Sequence, residues 1–157
     1  MAIDKVKEYF KAYGRDGDVL EFPTSSATVE LAAQALGTEP ARIAKTLSFR
    51  VSDRCVLVVC AGDAKIDNPK YRAQFSCKAR MLSADEVEKM TGHGIGGVCP
   101  FANPEGTRAY LDISLKRFGT VFPACGSENS AIELTPDELF QYANAAGWVD
   151  VCKGWQE

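Results

Sequence analysis

Ile3, Val6, Phe10 and Tyr13 return at helical spacing with Lys and Glu between them, which predicts an amphipathic helix over residues 3–13 closed by Gly14. After a turn at residues 14–17, Val19–Phe22 reads as a short strand ending at Pro23. Val29, Ala32, Ala33 and Leu36 then mark a second helical face, capped by Ser26 or Thr28 and stopped by Gly37. Leu47, Phe49 and Val51 alternate with polar residues, as a half-buried strand does, whereas Cys55–Ala61 is almost continuously apolar and β-branched. With Ser52-Asp53-Arg54 as the turn, this pair is expected at the centre of a sheet, because a strand buried on both faces loses its alternation. Lys45 opens the first of these two strands.

Beyond residue 61 the pattern breaks into shorter pieces. A helix is expected after Asn68-Pro69, and a strand over Ala79–Leu82. Ser83 to Glu86 forms a capping box whose helix ends at Gly92. Strands are read near Ala109–Ile113, Val121–Cys125 and Ala131–Leu134. Thr135 to Glu138 is a second capping box with proline at the first helical position, and Trp148–Cys152 is a candidate closing strand. There is no internal repeat or linker, so residues 1–157 are expected to share one core as a single domain. Hairpin-like strands interrupted by single helices indicate an α+β (mixed α/β) fold with a mixed, partly barrel-like sheet, not a doubly wound one.

Composition narrows the function classes. The net charge of −3 argues against a protein that coats DNA or other nucleic acid, since phosphate neutralisation needs a basic surface. Locally, Lys65, Lys70, Arg72, Lys78 and Arg80 face only Asp67, a segment balance of +4 that reads either as a solvated face or as a small phosphate-contacting patch. No apolar run is long enough to cross a membrane and the first residues do not resemble a signal peptide, so a cytoplasmic location is expected. In that reducing compartment the six cysteines are expected as free thiols. Their scatter, with one histidine and no C-x-x-C pair, gives no metal-ligand spacing, so neither a metal nor a cofactor is expected.

Gly92 to Gly97 matches G-x-G-x-x-G literally, but a helix precedes it and Val98-Cys99-Pro100 follows, the reverse of a dinucleotide site. Its glycines leave two readings, a tight turn or backbone amides offered to a ligand oxygen. His93, between glycines and without an orienting partner, is expected at the surface, and no serine or cysteine sits in a nucleophile-elbow context. Lys45 reads either as a cation snorkelling from a strand end or as an electrostatic anchor at a cleft.

Ala44-Lys45-Thr46-Leu47, then Gly96-Gly97-Val98-Cys99-Pro100, Leu111-Asp112-Ile113-Ser114-Leu115 and Cys125-Gly126-Ser127 together resemble the YbaK and prolyl-tRNA synthetase-associated editing domain family over roughly residues 24–145. The resemblance implies a free-standing aminoacyl-tRNA deacylase with a sheet flanked by helices. It gives Lys45 the essential lysine's role and places the ester between the lysine strand and the G-x-x-x-P loop, with Gly96, Gly97, Val98, Cys99, Pro100, Asp112, Gly126 and Ser127 about the substrate. Water attacks in that chemistry with help from a ribose hydroxyl of the substrate, so no protein nucleophile is required. It also implies the tRNA acceptor end as partner, with the Lys65–Arg80 patch on its phosphates, and prolyl-tRNA synthetase as a further partner. The alanyl-specific branch carries asparagine where this chain has Thr46, which leaves the amino acid removed open. Two rival classes remain: an idle editing-like module that binds tRNA or a synthetase, and a redox or metal protein built on the cysteines.

Overall fold

The structure, a computed structural model, describes residues 2–26, 28–94 and 97–155. The elements run α1 (Ala2–Lys11), β1 (Leu20–Glu21), α2 (Val29–Leu36), β2 (Ile43–Val51), β3 (Arg54–Ala61), β4 (Lys65–Ile66), α3 (Asn68–Phe75) and α4 (Ala84–Thr91). They continue with β5 (Arg108–Asp112), β6 (Phe122–Pro123), β7 (Ser130–Ala131), α5 (Pro136–Tyr142), β8 (Gly147–Val149) and β9 (Cys152–Lys153). The central sheet has five strands in the order β6-β2-β3-β5-β8, and two ribbons, β1-β7 and β4-β9, stand apart from it. This is the α+β class expected.

The local signals explain most helices. Thr28 accepts from Leu31 N–H at 3.1 Å and Gly37 closes α2 in the left-handed region at φ 68°. Both capping boxes form, Ser83 with Glu86 and Thr135 with Glu138. The helix α1 stops at Lys11, short of Tyr13. It buries Val6 and Phe10 completely, and Phe10 meets the rings of Phe101 and Tyr142 with centroids at 4.8 and 5.5 Å.

β3 is buried along its length from Cys55 to Ala61 and takes the middle of the sheet, as its unbroken apolar run predicts. Its hairpin with β2 is regular from Ala44↔Ala61 to Val51↔Arg54. The remaining pairings differ from the expected hairpins: β3-β5, β5-β8 and β2-β6 are all parallel. Intervening helices and loops make the returns that parallel strands require. The expected strand over Ala79–Leu82 contracts to a single bridge, Phe49↔Met81, and Val121–Cys125 to the two residues of β6. Over the sheet, α3 packs Tyr71 on Phe49 at 4.9 Å, and Phe75 meets Tyr110 at 5.2 Å.

Candidate functional site

The parallel order brings the carboxyl ends of β3 and β5 to the same edge as the start of β2, where Lys45 lies. A cleft of about 340 Å³ opens there along β2, lined by Val29 and Ala32 of α2, Ile43–Ser48 of β2, Leu82, Val87, Val98 and Phe122. The outer edge of β2, away from β3, is covered at both ends. Ile43 and Ala44 pair with Phe122 and Pro123 of β6, while Arg50 N–H donates to Arg80 O at 2.8 Å and Ser48 O accepts from Leu82 N–H at 3.2 Å. Between the two covers the edge faces the cleft. Thr46 lies in that gap, and its Oγ1 is buried without a hydrogen-bond partner.

Lys45 is half-buried, and its ammonium donates to the carbonyls of Ala64 and, at 3.4 Å, Gly62. Those carbonyls belong to the turn after β3, which is held tightly from outside. A Cβ on Gly62 would stand 2.0 Å from Pro40 O, so only glycine lets the turn come this close to the segment before β2. The lysine stem is thus covered and its ammonium is held by carbonyl dipoles at one end of the cleft, with a donor to spare.

The loop and the C-G-S turn meet at Gly97. Gly97 is packed so closely on the Gly126–Ser127 peptide that a Cβ would lie 2.8 Å from Gly126 C and Ser127 N. Gly126 itself needs φ +94°. Ser127 Oγ lies 2.7 Å from Ser130 Oγ, and Ser130 reaches the cleft wall. Of the remaining loop positions, Val98 lines the cleft, Cys99 is buried behind it, and Pro100 borders a separate hollow with Tyr9 and Asn144. Gly96 lies outside the described residues.

His93 corrects the sequence reading. It is fully buried, not at the surface, because the loop folds back over it: Nε2 lies 2.9 Å from Phe101 O and 3.5 Å from Cys99 Sγ. Bonding to a carbonyl assigns the proton to Nε2, which leaves Nδ1 bare and unpartnered. Burial pushes the imidazole pKa below its usual range, and it pushes the Cys99 thiol up to about 12 and the Cys125 thiol well above the usual thiol range. These thiols are held protonated, which is the opposite of an activated nucleophile.

Asp112 is also fully buried, on the end of β5. Its Oδ2 accepts from Ser114 N–H and its Oδ1 from Val151 N–H, each at 2.9 Å, and Ser114 Oγ in turn accepts from Ala61 N–H at 3.1 Å. The carboxylate therefore ties the end of β5 to the segment before β9, and Ser114 extends the brace to β3, outside the cleft lining. In the basic segment, Lys70 is drawn to Asp150 at 3.0 Å. Arg72 and Lys78 flank a hollow of about 660 Å³ beside α3, with no ion-pair partner among the described residues. Lys65 is exposed and stands across the β4-β9 ribbon from Lys153, while Arg80 follows at the rim, next to the cleft residue Met81. Lys153 and the open edge at Thr46 escaped the sequence reading. The first needs the β4-β9 register and the second the pairing of β2, neither of which a hydrophobic pattern encodes.

The model of the aminoacyl-tRNA editing domain family matches residues 24–142. The uncharacterized protein YwhH of Bacillus subtilis (strain 168) is 57% identical over 157 residues, which span 99% of this chain and 100% of that protein. A proline-tRNA ligase of Caldicellulosiruptor bescii is 31% identical over 92 residues, 57% of this chain and 15% of the ligase. Among solved structures, a candidate trans-editing enzyme for prolyl tRNA synthetase superposes with a TM-score of 0.87 at 30% identity, covering 98% of each chain.

Proposed function

Because this chain belongs to the aminoacyl-tRNA editing domain family, we propose that it hydrolyses the ester of mischarged aminoacyl-tRNA, acting in trans on tRNA for proline that carries a small wrong amino acid. The observation that carries the reading is the cleft along the open stretch of β2, with the Lys45 ammonium fixed at one end and mostly apolar walls. Its volume suits an amino acid with its ester linkage. Water adds to the ester carbonyl carbon, the bond to the ribose oxygen breaks and that oxygen takes the proton, giving the free amino acid and uncharged tRNA. Lys45 supplies a positive charge near the oxygen that becomes negative, and the walls fix the orientation. An activated ester asks for no more than this, which is consistent with thiols kept protonated around the loop.

On this reading the backbone of Gly97, with Val98, lies over the aminoacyl group. Cys99, Pro100, Gly126 and Ser127 set the loop's shape, and Asp112 acts only through the fold. The acceptor end of tRNA crosses Lys65, Arg72, Lys78 and Arg80, with Lys70 contributing less because Asp150 already neutralises it. The whole chain works as one editing domain in the cytoplasm beside prolyl-tRNA synthetase. Among the described residues no helix is long and apolar enough to cross a membrane.

The test is deacylation of tRNA for proline charged with alanine, cysteine, serine, threonine or proline, comparing the native protein with Lys45→Ala. Turnover of one or two mischarged species, reduced at least about 100-fold by the substitution, is the expected result. No turnover of any would replace the enzyme with a binding module.

A further inference from the structure

We propose that Thr46 reads the substrate's α-amino ester as a neighbouring strand would, its carbonyl accepting from the α-ammonium and its N–H donating to the ester carbonyl oxygen. This rests on the deacylase reading of the cleft and names the atoms that recognise the aminoacyl group.

The direction of the backbone groups follows from the pairing. Along a strand, successive residues turn their N–H and C=O to opposite edges. Ser48 O and Arg50 N–H point outward to Leu82 and Arg80, so Thr46, two residues before Ser48, points outward as well. At the other end of the gap, β6 pairs with Ile43 and Ala44. Among the described residues no backbone group meets Thr46 from the open side, and Thr46 lines the cleft. An unpaired edge is a template for another chain, but this one offers a single complete outward pair between its covers. A single amino acid in ester linkage carries one nitrogen and one carbonyl on one Cα, which is what a hydrogen-bonded antiparallel pair exchanges with its opposite residue. A longer peptide would collide with the covers at Pro123 and Leu82.

Two further observations favour this occupant. Thr46 Oγ1 on the same residue is also without a partner, and buried polar atoms left unsatisfied in a folded protein call for a missing partner. The Lys45 ammonium, drawn to Gly62 and Ala64, does not occupy the Thr46 carbonyl, so that acceptor stays available to a cationic donor. A charged donor makes the stronger bond there. The same geometry puts the Thr46 N–H on the ester oxygen, where it stabilises the charge that grows as water adds.

The experiment takes whichever aminoacyl-tRNA the protein turns over and compares it with its N-acetylated form, each rate divided by the spontaneous hydrolysis of the same ester. Loss of the ammonium is expected to lower kcat/KM by about 10- to 100-fold. Thr46→Pro removes the outward N–H without taking a bond from β3, a position where an edge strand accepts proline. It should cut kcat by a similar factor, while Thr46→Val, which keeps both backbone groups, should preserve the discrimination against the acetylated ester. Equal normalised rates on free and acetylated esters would overturn the pairing while leaving the deacylase intact, as would loss of the discrimination in Thr46→Val. Should Thr46→Pro fail to fold, the acetylation and Thr46→Val results decide alone. No turnover of any free-amine ester would remove the deacylase reading and the pairing with it.

Discussion

In the half of the sheet built from β3, β5 and β8, Asp112 and Ser114 are fully buried and their side-chain oxygens accept from backbone amides. In the half built from β2 and β6, Thr46 is buried at its hydroxyl, yet that oxygen and the outward edge beside it have no partner among the described residues. Both halves place polar atoms where water is scarce. The first uses them to tie strands together, and the second leaves them for something that is not part of the chain. Satisfaction of buried polar groups thus distinguishes the Asp112–Ser114 brace from the open stretch of β2 at Thr46, while Tyr71 Oη and Trp155 Nε1 are likewise buried without a partner elsewhere in the fold.

The strongest way to break that division is to exchange the fates of the two residues. Asp112→Ala strands two buried amides and should cost about 4 kcal/mol in urea unfolding, whereas Thr46→Val removes an oxygen that bonds to nothing and should leave stability within about 0.5 kcal/mol or raise it. Comparable losses in both would end the distinction. A smaller effect is expected at the seam beside the cleft. Gly97→Ala sets a methyl against the Gly126–Ser127 peptide, should destabilise by about 1–3 kcal/mol, and should slow deacylation by moving Val98 in the cleft wall.

His93 is the intermediate case, with one nitrogen bonded and one bare. Its folded pKa is depressed by burial, so the unfolded chain binds the extra proton first. Stability is therefore full above the unfolded value near 6.5 and falls as the pH drops from there toward the lower folded value, by at most about 1.4 kcal/mol per pH unit. Melting curves between pH 7.5 and 5.5 should show this slope, and His93→Gln should lose it. The smallest effect is expected on the surface, where Lys70 is spent on Asp150 and Arg72 and Lys78 are not. Replacing Arg72 and Lys78 together by alanine should weaken tRNA binding and lower its salt slope by about two, while Lys70→Ala should change the slope by less than one. Equal slopes for all three proteins would remove the patch.

Much of the scaffold is legible in the residues because its signals are local. The capping boxes at Ser83 and Thr135, the cap at Thr28 and the continuous apolar run of β3 all name their own structure. Strand direction is not local: alternation at Leu47, Phe49 and Val51 marks a strand but says nothing of a parallel β6 or β5. The short strands failed for a related reason, since Met81 has strand character yet finds a partner only at Phe49. At the site, motif resemblance singled out Lys45, Gly97 and Gly126 but not the contact between the two glycines, which joins residues 29 positions apart. His93 was misread because flanking glycines suggest exposure, while its imidazole turns inward to Phe101 O and Cys99 Sγ. The expectation that Asp112 would approach the pocket could not foresee Val151, which lies 39 residues further along the chain.

That separation has a consequence for biosynthesis. When Asp112 is joined to the nascent chain, the amide of Ser114 is two residues from being made and that of Val151 is 39 residues away. At about 5–20 residues per second, the nascent chain spends roughly 2 to 8 s with this acid half-satisfied. During that interval the carboxylate is better left in water than enclosed, since only one of the two amides that satisfy it in the folded chain is present. A chain that stalls before this residue would present the quality-control machinery with a recognisably unfinished protein.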